Sequence, residues 1–126
     1  MSTASAWSVA LNGIEGAMVE VEVAEGGGLP RTVLVGLPDA ALSQAKERVR
    51  AAVTGAELPW PNGLVTINLS PANLPKTGTH YDLAIATAAL AAIDKVPKEA
   101  ARNHVCLGEL GLDGRLRRVP GILPAL

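Results

Sequence analysis

Met18–Glu25 alternates strictly, with Val19, Val21 and Val23 set against Glu20 and Glu22. A period of two with acidic partners predicts a sheet strand with one wet face. Ala6–Leu11 predicts a strand before it, with Asn12-Gly13 as a turn signal and Gly16 allowing a tight link. Gly26-Gly27-Gly28 breaks the alternation, and Arg31–Gly36 (R-T-V-L-V-G) predicts a short, more fully buried strand. From Pro38-Asp39 the period changes. Ala41, Leu42, Ala45, Val49, Ala52 and Val53 recur at three and four, while Lys46, Glu47, Arg48 and Arg50 face mostly outward. This predicts one helix ended by Thr54-Gly55, with Gly55 as its closing residue.

Leu64–Leu69 predicts a further strand, and Tyr81–Ile93 an Ala-rich helix buried on several sides. Asp82 lies in its first turn, where the helix dipole favours a carboxylate. Val96–Ala101 suits a short helical turn. Val105–Leu112 and Arg115–Val119 flank Asp113-Gly114, a hairpin signal. The order is β-β-β-α-β-α-β-β, an α+β fold with a mixed β-sheet and helices packed on one face. Val19, Val21, Val23, Val33, Val35, Val65, Ile67, Leu83, Ile85 and Leu90 form the predicted core.

At 126 residues the chain is one domain, and 48% hydrophobic against 18% charged residues makes it globular. A net charge of −1 gives no overall pull towards nucleic acid or anionic membrane. With no Phe, one Tyr and two Trp, an aromatic base-stacking surface of the kind single-strand binders use is nearly excluded. One Cys rules out a disulfide framework. The run Leu83–Ile93, interrupted by Thr87, is far short of the ~20 residues of a membrane span. No Lys or Arg precedes Arg31, so no signal peptide is expected and the protein is expected to be cytoplasmic.

The residues carry little recognisable chemistry. There is no phosphate loop of the G-x-x-x-x-G-K-[ST] type, and Gly26–Gly28 precedes a strand rather than a helix. His80 and His104 lie far apart, with no Cys or carboxylate at ligand spacing beyond Asp82, which argues against a metal site. Cys106, between Val105 and Leu107, reads as a small buried hydrophobe. No catalytic, cofactor-binding or metal-ligating residue is expected in this chain.

Three stretches carry more information: Gly28–Ala40 (G-L-P-R-T-V-L-V-G-L-P-D-A) with Lys46–Ala52 after it, Ile67–Leu83 (I-N-L-S-P-A-N-L-P-K-T-G-T-H-Y-D-L), and Leu107–Gly121 (L-G-E-L-G-L-D-G-R-L-R-R-V-P-G). Together they resemble the N-terminal domain of the magnesium-chelatase-like AAA+ ATPases of the ComM/YifB type, over essentially the whole chain. The resemblance implies the fold of the Lon proteolytic domain, shared with a ribosomal protein domain. It also implies a C-terminal AAA+ domain that holds ATP and Mg, hexameric self-association, and a part in DNA processing during recombination or competence. Lon-type peptidases use a Ser–Lys dyad. Laid on this sequence, the nucleophile position is His80, followed by Tyr81-Asp82, and the Lys position falls near Leu123. Both roles are vacant, so a non-catalytic module is expected. The alternatives are a degenerate peptidase, a magnesium chelatase component or a free-standing adaptor. Lys76, Arg115, Arg117 and Arg118 are the candidate contacts to DNA or a partner.

Overall fold

The protein is described by a computed structural model over residues 2–10 and 17–117. Strands β1 (Ser2–Ala10), β2 (Ala17–Gly26), β3 (Arg31–Val35) and β4 (Leu64–Ser70) form one mixed sheet in the order β1-β2-β4-β3. β1 and β4 run antiparallel to β2, and β3 runs parallel to β4. The register aligns Ala6 with Val21 and Ser8 with Val19, then Val21 with Leu69 and Val23 with Ile67. Every other residue of these strands therefore faces one core, while Glu20 and Glu22 lie on the opposite face beside Ser70 and Asn68.

Helices α1 (Ala40–Ser43), α2 (Ala45–Gly55), α3 (Asp82–Ala92) and α4 (Lys98–Arg102) complete the layer. α3 packs on β1 and β2, α4 on β1, and α2 between α3 and β3. α3 buries Ala84, Ala88, Ala89, Ala91 and Ala92 among others, and β1 buries Ala4, Ala6 and Ala10. Small residues on both elements let helix and sheet approach closely, which fills the core without Phe. Hairpin strands β5 (Glu109–Leu110) and β6 (Leu116–Arg117) form a separate two-stranded sheet. No described helix is long and apolar enough to cross a membrane.

The α+β class and the mixed sheet agree with the sequence reading, while several boundaries differ. The single helix expected after Pro38 is two, divided at Gln44. Gly55 is the last residue of α2, and the left-handed conformation falls on Glu57 (φ 62°). Gly55 serves close approach instead, because a Cβ there would stand 2.4 Å from the Leu112 carbonyl oxygen.

Val33 and Val35 are not core residues. The parallel register turns Thr32 and Leu34 inward beside Val65 and Ile67, leaving Val33 and Val35 beside Thr66 and Asn68 on the open face. Val35 is 41% exposed, so β3 is a half-exposed edge and not the more buried strand expected. Leu83 and Leu90 are only half-buried. The other six predicted core residues are buried, joined by Leu42, Val49, Leu69 and Tyr81.

The predicted strand from Val105 is also shortened. Val105 bridges Trp7 instead, with Trp7 N–H donating to the His104 carbonyl (3.2 Å) and Cys106 N–H to the Trp7 carbonyl (2.7 Å). His104 is exposed and starts no strand. Gly108 N–H donates to the His80 carbonyl (2.9 Å) and its carbonyl accepts from Leu83 N–H (3.1 Å). That exchange satisfies an otherwise unpaired donor in the first turn of α3 and draws the chain away from strand pairing. The Asn12-Gly13 turn, Gly16 and the end of the predicted strand at Val119 lie outside the described residues.

Candidate functional site

Residues 71–80 connect β4 to α3 and hold the positions at which the family resemblance places a nucleophile. The connection is anchored on both sides. Lys76 N–H donates to the Leu37 carbonyl (3.0 Å), and Asp39 N–H donates to the Lys76 carbonyl (2.9 Å). Asp39 caps α1 through Oδ1, which accepts from Leu42 N–H at 2.7 Å, and its Oδ2 accepts from Gly78 N–H at 3.2 Å. One carboxylate thus serves a helix N-terminus and the loop. Gly78 has φ 103°, a conformation that favours glycine.

His80 is buried beneath this loop, and its Nε2 lies 2.6 Å from the Val9 carbonyl oxygen. A carbonyl can only accept, so Nε2 carries the proton. Burial pulls the His80 pKa below its usual value, opposed by the Val9 carbonyl and by the charges of Asp82 and Asp39. Its ring lies 4.1 Å, centroid to centroid, from the ring of Tyr81. Tyr81 is buried and its pKa is pushed up to about 12, chiefly by desolvation. The hydroxyls of Tyr81 and Ser8 have no hydrogen-bond partner among the described residues.

Asp82 follows, with no exposed side-chain surface. Arg48 reaches it from α2 in a two-pronged contact, Nε to Oδ2 at 2.6 Å and Nη2 to Oδ1 at 2.7 Å. Leu110 N–H donates to Oδ2 at 3.0 Å. The carboxylate therefore joins α2, α3 and β5. Arg48, expected to face mostly outward, is turned in by this partner. Composition and periodicity do not reveal the pair. Its one sequence signal is a single carboxylate on an otherwise apolar helix, which needs a cation when buried.

Lys76 does not stand on the surface as a contact for DNA or a partner. Its side chain is 0% exposed, and Nζ donates to the carbonyl oxygens of Leu69 (3.2 Å) and Pro71. Burial lowers its pKa. The ammonium closes the turn out of β4, and its burial withholds it from any contact shared with the hairpin. Arg115 and Arg117 are exposed as expected. Arg115 Nε lies 4.0 Å from Asp113 Oδ2, and Arg117 lies opposite Glu109 in the register. Arg118 lies outside the described residues, as does Leu123.

This arrangement offers no nucleophile hydrogen-bonded to a base. The imidazole donates to a backbone carbonyl, the lysine is held by two carbonyls, and Asp82 is held by Arg48. Thr77 is exposed and Thr79 half-buried on the loop. Among the described residues no group of three or more His, Cys, Asp or Glu side chains could hold a metal ion. Cys106 is half-buried near Thr87, and desolvation raises its thiol pKa.

Comparison with known proteins places this geometry in context. Residues 19–126 match the family described as subunit ChlI of Mg-chelatase. An uncharacterized protein of Mycobacterium tuberculosis is 52% identical over the whole chain. Competence protein ComM of Haemophilus influenzae is 40% identical over the whole chain, and YifB of Salmonella typhimurium is 40% identical over 98% of it. The chain spans about a quarter of the length of these relatives (25%, 25% and 24%).

Proposed function

Because the chain belongs to the Mg-chelatase-like family that includes ComM and YifB, we propose that it is a non-catalytic module of a longer AAA+ ATPase. It organises subunits, or contacts DNA or a protein partner, while a motor elsewhere in the parent binds ATP and Mg and hydrolyses the nucleotide. The parent assembles as a hexamer in the cytoplasm, and the module has the Lon proteolytic fold. A part in competence-related DNA processing is supported by the relative ComM of Haemophilus influenzae, a competence protein.

One observation carries the non-catalytic reading. Where the resemblance puts the peptidase nucleophile, His80 is buried with Nε2 on the Val9 carbonyl, and neighbouring Lys76 is turned onto the Leu69 and Pro71 carbonyls. A Ser–Lys dyad needs an amine that can take a hydroxyl proton within hydrogen-bond reach. Here the imidazole Nε2 and the lysine ammonium are both engaged with backbone carbonyls. The Asp39 and Asp82 contacts add to this, so the region acts as a scaffold between the sheet, α3 and the hairpin.

In this reading the hairpin supplies the outward contact. The Arg115 and Arg117 guanidiniums stand in solvent and donate to phosphates or to carboxylates of a neighbouring subunit, with Arg118 next to them in the chain. The test uses the full-length parent with Arg115 and Arg117 both changed to Glu, measuring DNA affinity against salt alongside hexamer assembly. Loss of DNA binding with a shallower salt dependence and intact hexamers supports a phosphate contact. Loss of hexamers supports a subunit contact. If neither changes, the hairpin has no part in the module's role.

A further inference from the structure

A second concavity lies apart from the His80 region, between the start of β3, one face of α2 and the loop Leu58–Gly63. It has a volume of about 380 Å³ and is lined by Arg31, Arg50, Thr54, Trp60 and Asn62, with Pro30, Pro59 and Pro61 around them. A volume of this size falls within the ~300–1,000 Å³ of small-ligand sites.

Two features mark this cleft as a site for a particular chemistry. Arg31 and Arg50 are both exposed, and neither is in an ion pair among the described residues. No acidic side chain lines the cleft, although the Glu25 carboxylate approaches its Gly63 end. Trp60 is half-buried, packs against the core and also lines the cleft. The loop carrying it is fixed at both ends. Leu58 N–H donates to the Val53 carbonyl (3.0 Å) and Arg31 N–H to the Gly63 carbonyl (3.1 Å). Gly63 has φ 98°, and a Cβ there would stand 2.4 Å from the Gly26 carbonyl oxygen, so no other residue fits without a shift. Two prolines stiffen the stretch between.

We propose that this cleft binds a nucleoside phosphate, with the base against Trp60 and the phosphate held by Arg31 and Arg50. Guanidinium forks match phosphate oxygens, and an indole face accepts any base by stacking. A small anion would leave the indole uncovered, whereas a nucleoside phosphate engages guanidinium and indole together. A free mononucleotide and one unit of a single strand share this chemistry. The site is separate from the His80 region, so it stands or falls apart from the non-catalytic reading.

The test is a titration of the 126-residue protein with AMP and with a short oligothymidylate, in a Trp7→Phe background so that emission reports Trp60. Circular dichroism first verifies the fold of every variant. The expected result is a saturable change in Trp60 emission with at least one probe. Arg31→Glu and Arg50→Glu should each weaken binding by roughly tenfold or more, the loss of a charge-assisted contact. Arg102→Glu, the same charge change on α4, should leave it nearly intact. Equal affinity for the two probes assigns a free nucleotide. Tighter binding of the oligonucleotide, with log affinity falling by about 0.7 per log unit of salt for each phosphate engaged, assigns a strand. The proposal is overturned if neither probe changes the emission, or if Arg102→Glu weakens binding as much as Arg31→Glu and Arg50→Glu. Should a Glu variant fail to fold, Arg31→Gln and Arg50→Gln serve the same comparison.

Discussion

Arg48 on α2 and Asp82 on α3 meet in a two-pronged ion pair, with contacts of 2.6 and 2.7 Å and the carboxylate wholly buried. The third contact of Asp82, from Leu110 N–H, extends the pair to the hairpin. Helix packing and hairpin placement therefore depend on one carboxylate. Arg48→Met leaves that charge buried without its cation and should destabilise the protein by roughly 3 kcal/mol. Arg48→Met with Asp82→Leu should recover part of the loss, because apolar replacement of both partners removes the uncompensated charge. Chemical denaturation of the two variants checks this, and equal stabilities would contradict the expected recovery.

The register of β3 makes a contrasting pair of substitutions. Ile67 is buried at the centre of the sheet, and Val35 is 41% exposed on its open face. Ile67→Ala should cost roughly 2–5 kcal/mol, whereas Val35→Ala should stay within about 0.5 kcal/mol as a surface change. Melting temperatures of the two variants give the comparison. A large loss at Val35 would mean that something covers this face of the sheet.

His80 predicts a loss of stability in acid. Its folded pKa is below the usual 6.5, so the unfolded chain takes up a proton more readily than the native one. Stability contributed by neutral His80 is complete above pH ~6.5 and falls as pH drops through that value towards the lowered native pKa. Gln retains an N–H donor for the Val9 carbonyl without titrating. The melting temperature of His80→Gln should therefore decline less between neutral pH and pH 5 than that of the unsubstituted protein.

Tyr81 behaves in the opposite sense at high pH. With a native pKa of about 12 against the ordinary 10.0, the folded state keeps a proton that the unfolded state loses. Its contribution falls as pH rises from about 10 towards 12. Lys76 changes in the other direction, since its lowered pKa makes stability rise with pH up to about its ordinary 10.5. Tyr81→Phe isolates the tyrosine contribution as the difference between two melting profiles. Because the Tyr81 hydroxyl is buried without a partner among the described residues, Tyr81→Phe at pH 7 should be neutral or stabilising by about 1 kcal/mol.

Alternation and helical spacing were enough to read the strands through Val19–Val23 and Val65–Ile67 and the helices around Val49 and Ile85. These signals are local and repeat many times. The face of Val35 depends on the parallel pairing of β3 with β4, a non-local choice that a short β-branched run does not encode. The single-helix reading failed at Gln44 for want of any breaker residue there. The site was less legible. Lys76 resembled a surface cation in a Pro-rich loop, and only the fold brings the Leu69 and Pro71 carbonyls to its ammonium. Arg48 looked like part of a wet helix face because its partner lies 34 positions away. The resemblance puts His80 at the family's nucleophile position from the order of residues in the loop alone, and only the fold brings the Val9 carbonyl to its Nε2.

The non-catalytic reading is tested most directly by turnover. The 126-residue protein is incubated with peptide substrates and, separately, with ATP, beside folded Lys76→Ala and Thr79→Ala variants. The account predicts no hydrolysis of either substrate above a mock purification. Hydrolysis by the unsubstituted chain that disappears in Lys76→Ala or Thr79→Ala, with the fold retained by circular dichroism, would contradict it and assign a substitute dyad to the loop.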